Sequence, residues 1–266
     1  VPEWAVTFVV VFLLIGFPIA MILAWVFDVG PQGIERTEPS RDLPAGARIK
    51  DGTNFAQDAR GHWFLNVCIE VADVAAREPV RGVGIDLGLN DFATLSTGES
   101  IANPRHRHKL EPKLAKAQRA SKKRQTTRIH ARIANARRDL LHKTALGIVR
   151  RFDYIAVGNV SSARLARTNM AKSVLDAGWS SFRNMLAYKA MRHGATYEEV
   201  HEAYSSQVCS SCGSLPPERP KGIADLGVRR WACSVCGCDH DRDVNAALNL
   251  LARSGHRAPA EGISAL

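Results

Sequence analysis

An α/β domain with a four-cysteine metal cluster set into it, preceded by one membrane-spanning helix, is the architecture that this 266-residue sequence predicts. Three observations carry the prediction. Short strand-like runs alternate with helical periodicity after residue 60, two C-x-x-C pairs lie close together near the C-terminal end, and 24 consecutive residues near the start carry no charge.

The uncharged run is WAVTFVVVFLLIGFPIAMILAWVF, residues 4–27, and as a helix it is long enough to span a hydrocarbon core of about 30 Å. Trp4 and Trp25 fall near its ends, where interfacial aromatics belong, and Pro18 is tolerated in a membrane helix. A secretory leader needs a basic start and a small-residue cleavage site, and neither is found. Glu3 precedes the run, whereas Arg36, Arg41, Arg48 and Lys50 follow it. That charge bias predicts residues 1–28 as a transmembrane helix, a lipid bilayer as partner, and the remainder on the cytoplasmic side. If the segment is instead a fusion product, the whole chain is cytoplasmic. Residues 29–50, rich in Pro, Gly and charge, read as a linker.

Strand signals come next. HWFLNVCIEV, 62–71, alternates. VRGVGIDLGLNDFATLSTGES, 80–100, reads as strand, Gly-rich turn, second strand and a hairpin tip at Thr97 and Gly98. Residues 107–151 are helical in pattern: Pro112 suits a first turn, and Ile129, Ile133, Ala136 and Leu140 recur at helical spacing. DYIAVGNV (153–160) is a short buried strand, 172–193 a helix ending at Gly194, ATYEEVHEA (195–203) another strand, and a last helix starts at Asp243.

Charge is concentrated. The chain carries a formal +10, but residues 105–143 alone hold fourteen Lys/Arg against Glu111 and Asp139, a net of +12. A local surplus on a helix marks a surface for a polyanion rather than general solubility, and nucleic acid is the natural one. Arg119, Lys122, Lys123, Arg124 and Arg128 are the first candidates for phosphate contacts. Trp179 and Tyr188 are expected in the core rather than stacked on bases.

Cys209-Ser-Ser-Cys212 and Cys233-Ser-Val-Cys236 are two matching knuckles with twenty residues between the inner cysteines. Each can give two thiolates from one tight turn, and Gly213 and Gly237 follow where the backbone must reverse. Zinc held by four thiolates has no open position, so its role is structural. Cys238 is a spare, and clustered cysteines point to a reducing compartment.

Asp86, within GVGIDLGLN, sits at the centre of a strand, with Gly88 leaving room for a phosphate backbone. Asp243, within DRDVNAALN, opens the last helix; its alternative role is simply the helix N-cap. In order, GIDLGLNDFATLS, SSQVCSSCG and WACSVCG-CDHDRDVNAALNLL resemble the OrfB/TnpB transposon proteins, relatives of the type V CRISPR effector nucleases. The resemblance runs from about residue 52 to 252. It implies an RNase H-like (RuvC) fold with an inserted zinc ribbon, and a Mg²⁺-dependent DNA endonuclease of transposase type. The implied boundaries are a wedge remnant at 51–79, a RuvC-like domain at 80–204 with its basic helical stretch at 105–151, the ribbon at 205–240, a final helix at 241–252 and a tail at 253–266.

By the same resemblance Asp86 and Asp243 are the first and third magnesium-binding carboxylates. The family's second is a glutamate ending the middle strand, where this chain has Gly158. Either cleavage is lost or another acid serves. The next strand ends at Val200-His201-Glu202, so Glu202 is the expected replacement; Glu198 and Glu199 lie farther back. Members of the family are RNA-guided, which adds guide RNA to DNA as an implied partner. Guidance there uses a wedge and a helical lobe ahead of the first aspartate, and the 58 positions from Asp28 to Asp86 are too few for both, so an N-terminally truncated nuclease is expected. The chain opening with Val fits that expectation. Two rivals stay open: a nucleic-acid-binding zinc-ribbon protein that no longer cleaves, and a membrane-anchored gene-fusion fragment. The stretch GFPIAMILAWVFDVGPQGIERTEP resembles the anchor of TolB-like or cyclase-like bacterial proteins.

Overall fold

The structure is a computed structural model that describes residues 27–30, 33–36, 47–160, 171–221, 225 and 227–256. The described residues fall into two compact units. The first reaches Phe55 and takes in Leu65–Ala72; the second holds Ala56–Phe64 and everything described from Asp73 onward.

In the first unit, β1 (Phe27–Gly30) and β2 (Gly33–Arg36) form an antiparallel pair with Phe27 opposite Arg36. Strand β3 (Arg48–Ile49) pairs with β6 (Ile69–Glu70), and Lys50 closes the pair by bonding Glu70 at 2.8 Å. A further two-stranded sheet, not confined to this unit, joins β4 (Asn54–Gln57) to β5 (Trp63–Asn66). The single strand expected over 62–71 is thus two strands in different sheets. Both are largely exposed, Trp63 at 68%.

The membrane localisation expected from residues 4–27 is corrected. Among the described residues no helix is long and apolar enough to cross a membrane. Phe27, the last residue of the expected span, is in a strand hydrogen-bonded sideways to β2, a state a spanning helix cannot share. The rest of that stretch, 4–26, lies outside the described residues. The lipid partner loses its support with it.

The second unit is built on five strands in the order β11-β10-β7-β8-β9. β7 (Gly82–Leu87), β8 (Asp91–Leu95) and β9 (Ser100–Ala102) form an antiparallel meander, with Gly98 at φ +87° in the hairpin tip. β10 (Tyr154–Gly158) lies parallel to β7, and β11 (Thr196–Val200) parallel to β10. Each parallel step needs a crossover. The first is α1 (His106–Arg119) and α2 (Lys123–Arg151); the second is α3 (Ala171–Ala177) and α4 (Trp179–Arg192). Two expected helices are each broken in two. The basic one turns at Ser121, whose φ is +52°, and the other at Gly178, at +70°. The first helix begins at His106, so Pro112 sits in its second turn rather than its first.

Helices cover both faces of this sheet. Ile85, Ile155, Val157 and Phe92 pack against Leu141, Ile148, Phe182 and Leu186 of α2 and α4 on one face. Leu141, not the expected Leu140, is the fully buried residue at that turn of α2. Trp179 is buried in this core, as expected, whereas Tyr188 is 37% exposed with its hydroxyl 3.3 Å from His142 Nδ1. On the other face lies the last helix, α5 (Arg242–Arg253), which follows the small antiparallel pair β12 (Arg230–Ala232) and β13 (Asp239–Asp241). Gly84 lets α5 in: a Cβ there would stand 1.9 Å from the carbonyl oxygen of Ala247.

Candidate active site and metal cluster

Sheet register decides which side chains α5 faces. Gly84 pairs with Ala156, and Ala156 with Glu198, so these positions share a face. Moving two residues along each strand keeps the face and reaches Asp86, Gly158 and Val200. Glu202 lies two residues beyond Val200, just past the end of β11, and Asp243 is in the first turn of α5. Asp86, Glu202 and Asp243 line one cleft of about 880 Å³, together with Asp91, Arg229 and Arg242. The structure therefore brings the three expected carboxylates together.

Glu202 fills the gap in the middle strand. A Cβ built on Gly158 would meet Glu202 Oε2 at 3.4 Å, Leu250 Cδ1 at 3.4 Å and Glu202 Cβ at 3.5 Å. The backbone N–H of Glu202 donates to Asn159 Oδ1 at 3.3 Å, tying the residue to the end of β10. Glu198 and Glu199 are committed elsewhere: Glu198 accepts from the Tyr154 hydroxyl, and Glu199 bonds Arg183 at 3.1 Å and the Tyr197 hydroxyl at 2.9 Å.

Crowded carboxylates leave an electrostatic signature. Burial, followed by the charges of Asp243 and Glu202, pushes the Asp86 carboxyl up to about 8, against opposing pulls from Arg242 and Arg229. Asp243 is also raised, by burial first; Arg229, 2.8 Å from its carboxylate, offsets part of this, while Asp241 and Asp91 add to it. The capping role weighed for Asp243 belongs to its neighbour. Asp241 is the N-cap of α5, accepting from the backbone N–H groups of Asp243 and Val244 at 3.0 Å each. Asp243 is left to face the cleft.

Gly88 lines the cleft and also has a reason internal to the fold. Its missing Cβ makes room for the carbonyl oxygen of Asp91, 2.7 Å away, inside the β7–β8 turn. Asp91, Arg229 and Arg242 escaped the sequence analysis. Asp91 sits in a turn-like Leu-Asn-Asp run and the arginines flank a cysteine knuckle, so nothing local marks them as cleft residues.

Cys209, Cys212, Cys233 and Cys236 offer sulfur atoms that all lie within 4.8 Å of one another. The knuckles are near copies. Gly213 N–H donates to Cys209 O and Gly237 N–H to Cys233 O, both at 2.8 Å, with the glycines at φ +74° and +75°. Four sulfur donors gathered this closely could hold a metal such as zinc. The Ser214 hydroxyl and the backbone N–H groups of Cys236 and Val235 hold the Cys233 thiol down to about 6, whereas burial pushes Cys209 up, and burial with the neighbouring cysteine sulfurs pushes Cys236 up to about 12. Cys238 stands outside the cluster, its sulfur 3.2 Å from the Ser211 hydroxyl. His240 is buried, with Nε2 3.0 Å from Cys209 Sγ, and sequence spacing gave no sign of it.

Lys122, Lys123, Arg124 and Arg128 gather at the turn between α1 and α2, with Arg119 one residue before it; all five are exposed.

With that geometry in hand, two family models match the chain. Residues 66–169 match the OrfB_IS605 family, described as "Probable transposase". Residues 179–250 match "Cas12f1-like, TNB domain". Over these two stretches the chain is similar to OrfB-type transposases and to Cas12f1-like proteins. A Streptomyces pristinaespiralis protein named "Putative RNA-guided DNA endonuclease" is 37% identical over 227 residues, covering 80% of this chain and 55% of that protein. "Putative RNA-guided DNA endonuclease InsQ" of Escherichia coli (strain K12) is 30% identical over 231 residues, covering 76% and 56%. The chain thus spans little more than half the length of these curated relatives. Its α/β fold is similar to that of a Cas12f1–sgRNA–target DNA complex, with TM-score 0.51, 16% identity, and coverage of 85% of this chain and 64% of that one. A second Cas12f ternary complex gives TM-score 0.50 at 20% identity, covering 71% and 42%.

Proposed function

We propose that this chain is a Mg²⁺-dependent DNA endonuclease of the transposon-associated OrfB/TnpB type, with Asp86, Glu202 and Asp243 as its metal-binding carboxylates. The single observation that carries the proposal is the shared space of Gly158 and Glu202: the acid absent from the middle strand is supplied by the neighbouring one. The donor set fits a divalent cation. Three carboxylates face one cleft, and without a cation burial, followed by the charges of Asp243 and Glu202, keeps Asp86 protonated near neutral pH. When bound, a Mg²⁺ pair supplies activation of water and stabilisation of the leaving oxygen in phosphodiester hydrolysis. Asp86 contributes from the C-terminal end of β7, Asp243 from a capped helix start and Glu202 from the loop after β11. Arg229 and Arg242 lie where they can hold a phosphate beside the acids.

Zinc is the proposed occupant of the four cysteines, giving a ribbon whose role is structural. The exposed cations at the α1–α2 turn are the proposed contacts to a nucleic-acid backbone. Guide RNA joins DNA as a proposed partner because the relatives above carry RNA guidance in their names. The rival, a protein that binds nucleic acid without cleaving it, draws its strength from Gly158, and the position of Glu202 weighs against it.

The test is Mg²⁺-dependent cleavage of single- and double-stranded DNA by the full chain, beside Asp86→Asn and Glu202→Gln. Cleavage by the wild type, lost by at least a hundredfold in both variants, supports the proposal. Binding without cleavage in all three establishes the rival.

A further inference from the structure

The Glu202 carboxylate faces a mechanical problem that a glutamate at position 158 would not. Position 158 is the last residue of β10 and is held in register with Val200 of β11, whereas Glu202 is in the loop beyond β11. A metal ligand needs to be held within a fraction of an ångström. What holds this loop is α5. Asn245, Asn249 and Arg253 recur every four residues, so they form one stripe along the helix, one residue per turn. All three reach the backbone of residues 201–210. Arg253 Nη1 donates to the carbonyls of His201, at 3.0 Å, and Ala203, at 2.7 Å, the two residues flanking Glu202. Asn249 Nδ2 donates to Ser205 O and Val208 O, both at 2.7 Å. Asn245 Nδ2 donates to the same two carbonyls at 3.2 and 2.8 Å, and its Oδ1 accepts from Ser210 N–H at 2.9 Å. Both asparagines are buried, so these bonds form away from competing water.

The same helix begins with Asp243 and packs on the strand that carries Asp86. We propose that Asn245, Asn249 and Arg253 are positioning residues that fix the Glu202 carboxylate against Asp86 and Asp243, doing for a loop what sheet hydrogen bonds would do at position 158. The three side chains do not themselves line the cleft; they act on the backbone of residues that do, Ala203 and Ser205. Its lower end also grips Ser210, next to the cluster cysteine Cys209, so the cysteine cluster and the carboxylate loop hang from one helix face. The inference rests on the nuclease reading of the cleft, and its test separates the two.

The probe is Mn²⁺ alone, its binding to the full chain followed by electron paramagnetic resonance. Arg253→Met keeps an exposed, unbranched side chain and removes the two donors, so the fold is retained, as the melting curve and zinc content would verify. Expected is a loss of Mn²⁺ affinity of about tenfold, the scale seen when groups supporting metal ligands are removed. Faster amide exchange across residues 202–208 should accompany it. The decisive comparison moves the glutamate back to the strand with Gly158→Glu and Glu202→Ala together, a swap for which the space exists. In that background Arg253→Met should leave Mn²⁺ affinity unchanged. An equal loss in both backgrounds, or none in the wild type, overturns the inference while leaving the nuclease reading intact. If wild-type Mn²⁺ binding is insensitive to Asp86→Asn, the reading of the cleft fails and the inference falls with it.

Discussion

A side chain at Gly158 would begin 3.4 Å from Oε2 of Glu202, so the glycine and the glutamate divide one space between two strands. Neighbouring parallel strands carry same-face residues side by side, and a carboxylate can be delivered from either without moving the point it reaches.

A bulky residue at position 158 should therefore act on Glu202. Gly158→Leu is expected to displace the carboxylate and press on Leu250, lowering stability by about 2 kcal/mol through overpacking. Mn²⁺ affinity should fall with it. Urea denaturation and metal titration check the two effects, and unchanged affinity would place Glu202 outside the metal site.

Metal binding should release the proton that Asp86 retains. With its carboxyl pushed up to about 8, Mn²⁺ affinity is expected to rise about tenfold per pH unit between 6 and 8 and then level off. The sign for stability runs the other way. A raised carboxyl favours the folded metal-free protein while protonated, and that contribution is lost as pH climbs through about 8. Melting curves at pH 6 and 9 without metal, compared with Asp86→Asn, should show the loss only in the wild type.

Gly84→Ala tests how tightly the last helix seats. The new methyl group would lie 1.9 Å from a backbone carbonyl, which has no rotamer to retreat into. A destabilisation of about 3 kcal/mol or more is expected by chemical denaturation, with reduced metal affinity because Asp86 and Asp243 lie at this same junction.

Asp153 is a purely structural counterpart. Buried at the start of β10, it pairs with Arg77 at 2.8 Å and Arg81 at 3.0 Å, and the Arg81 hydrogen bond holds its carboxyl below the usual range. Its contribution is present above the ordinary aspartate range near pH 4 and is lost as pH falls below that. Asp153→Ala should lower stability by about 3 kcal/mol at pH 7 while leaving the cleft's metal affinity unchanged.

Chelation checks the cysteine cluster. One zinc per chain is expected by elemental analysis, lost on Cys209→Ser or Cys233→Ser, with amides of residues 205–214 exchanging faster afterwards. Zinc content unaffected by either change would remove zinc from the four-cysteine site.

Much of the sheet was legible because its strands are short, apolar and bounded by turn residues. GVGID and YIAVG could hardly be anything else. The knuckles were legible because two thiolates per tight turn leave a spacing that chance seldom copies. The breaks were not. Nothing in Ala120-Ser121-Lys122 interrupts the helical pattern, yet Ser121 turns at positive φ and α1 and α2 pack against each other; packing, not propensity, sets that corner. Gly178 was a visible breaker overlooked inside a long pattern. The uncharged run at 4–27 predicted a span from composition alone, but hydropathy cannot show where a strand pair begins, and Phe27 is in one. The stripe at 245, 249 and 253 was equally invisible, since asparagine in a helix announces a partner only once the partner is there.

The seat of α5 on β7 joins nearly the first and the last elements of the second unit, Asp86 and Asp243 being 157 residues apart in sequence. Loop closure over such a distance is slow and comes late in folding. A chain still emerging from the ribosome has its sheet and its cationic hairpin before it has α5. The arm that would grip a polyanion thus exists before the group of acids that would cut one, and synthesis itself delays the assembly of the cleft until α5 has been made.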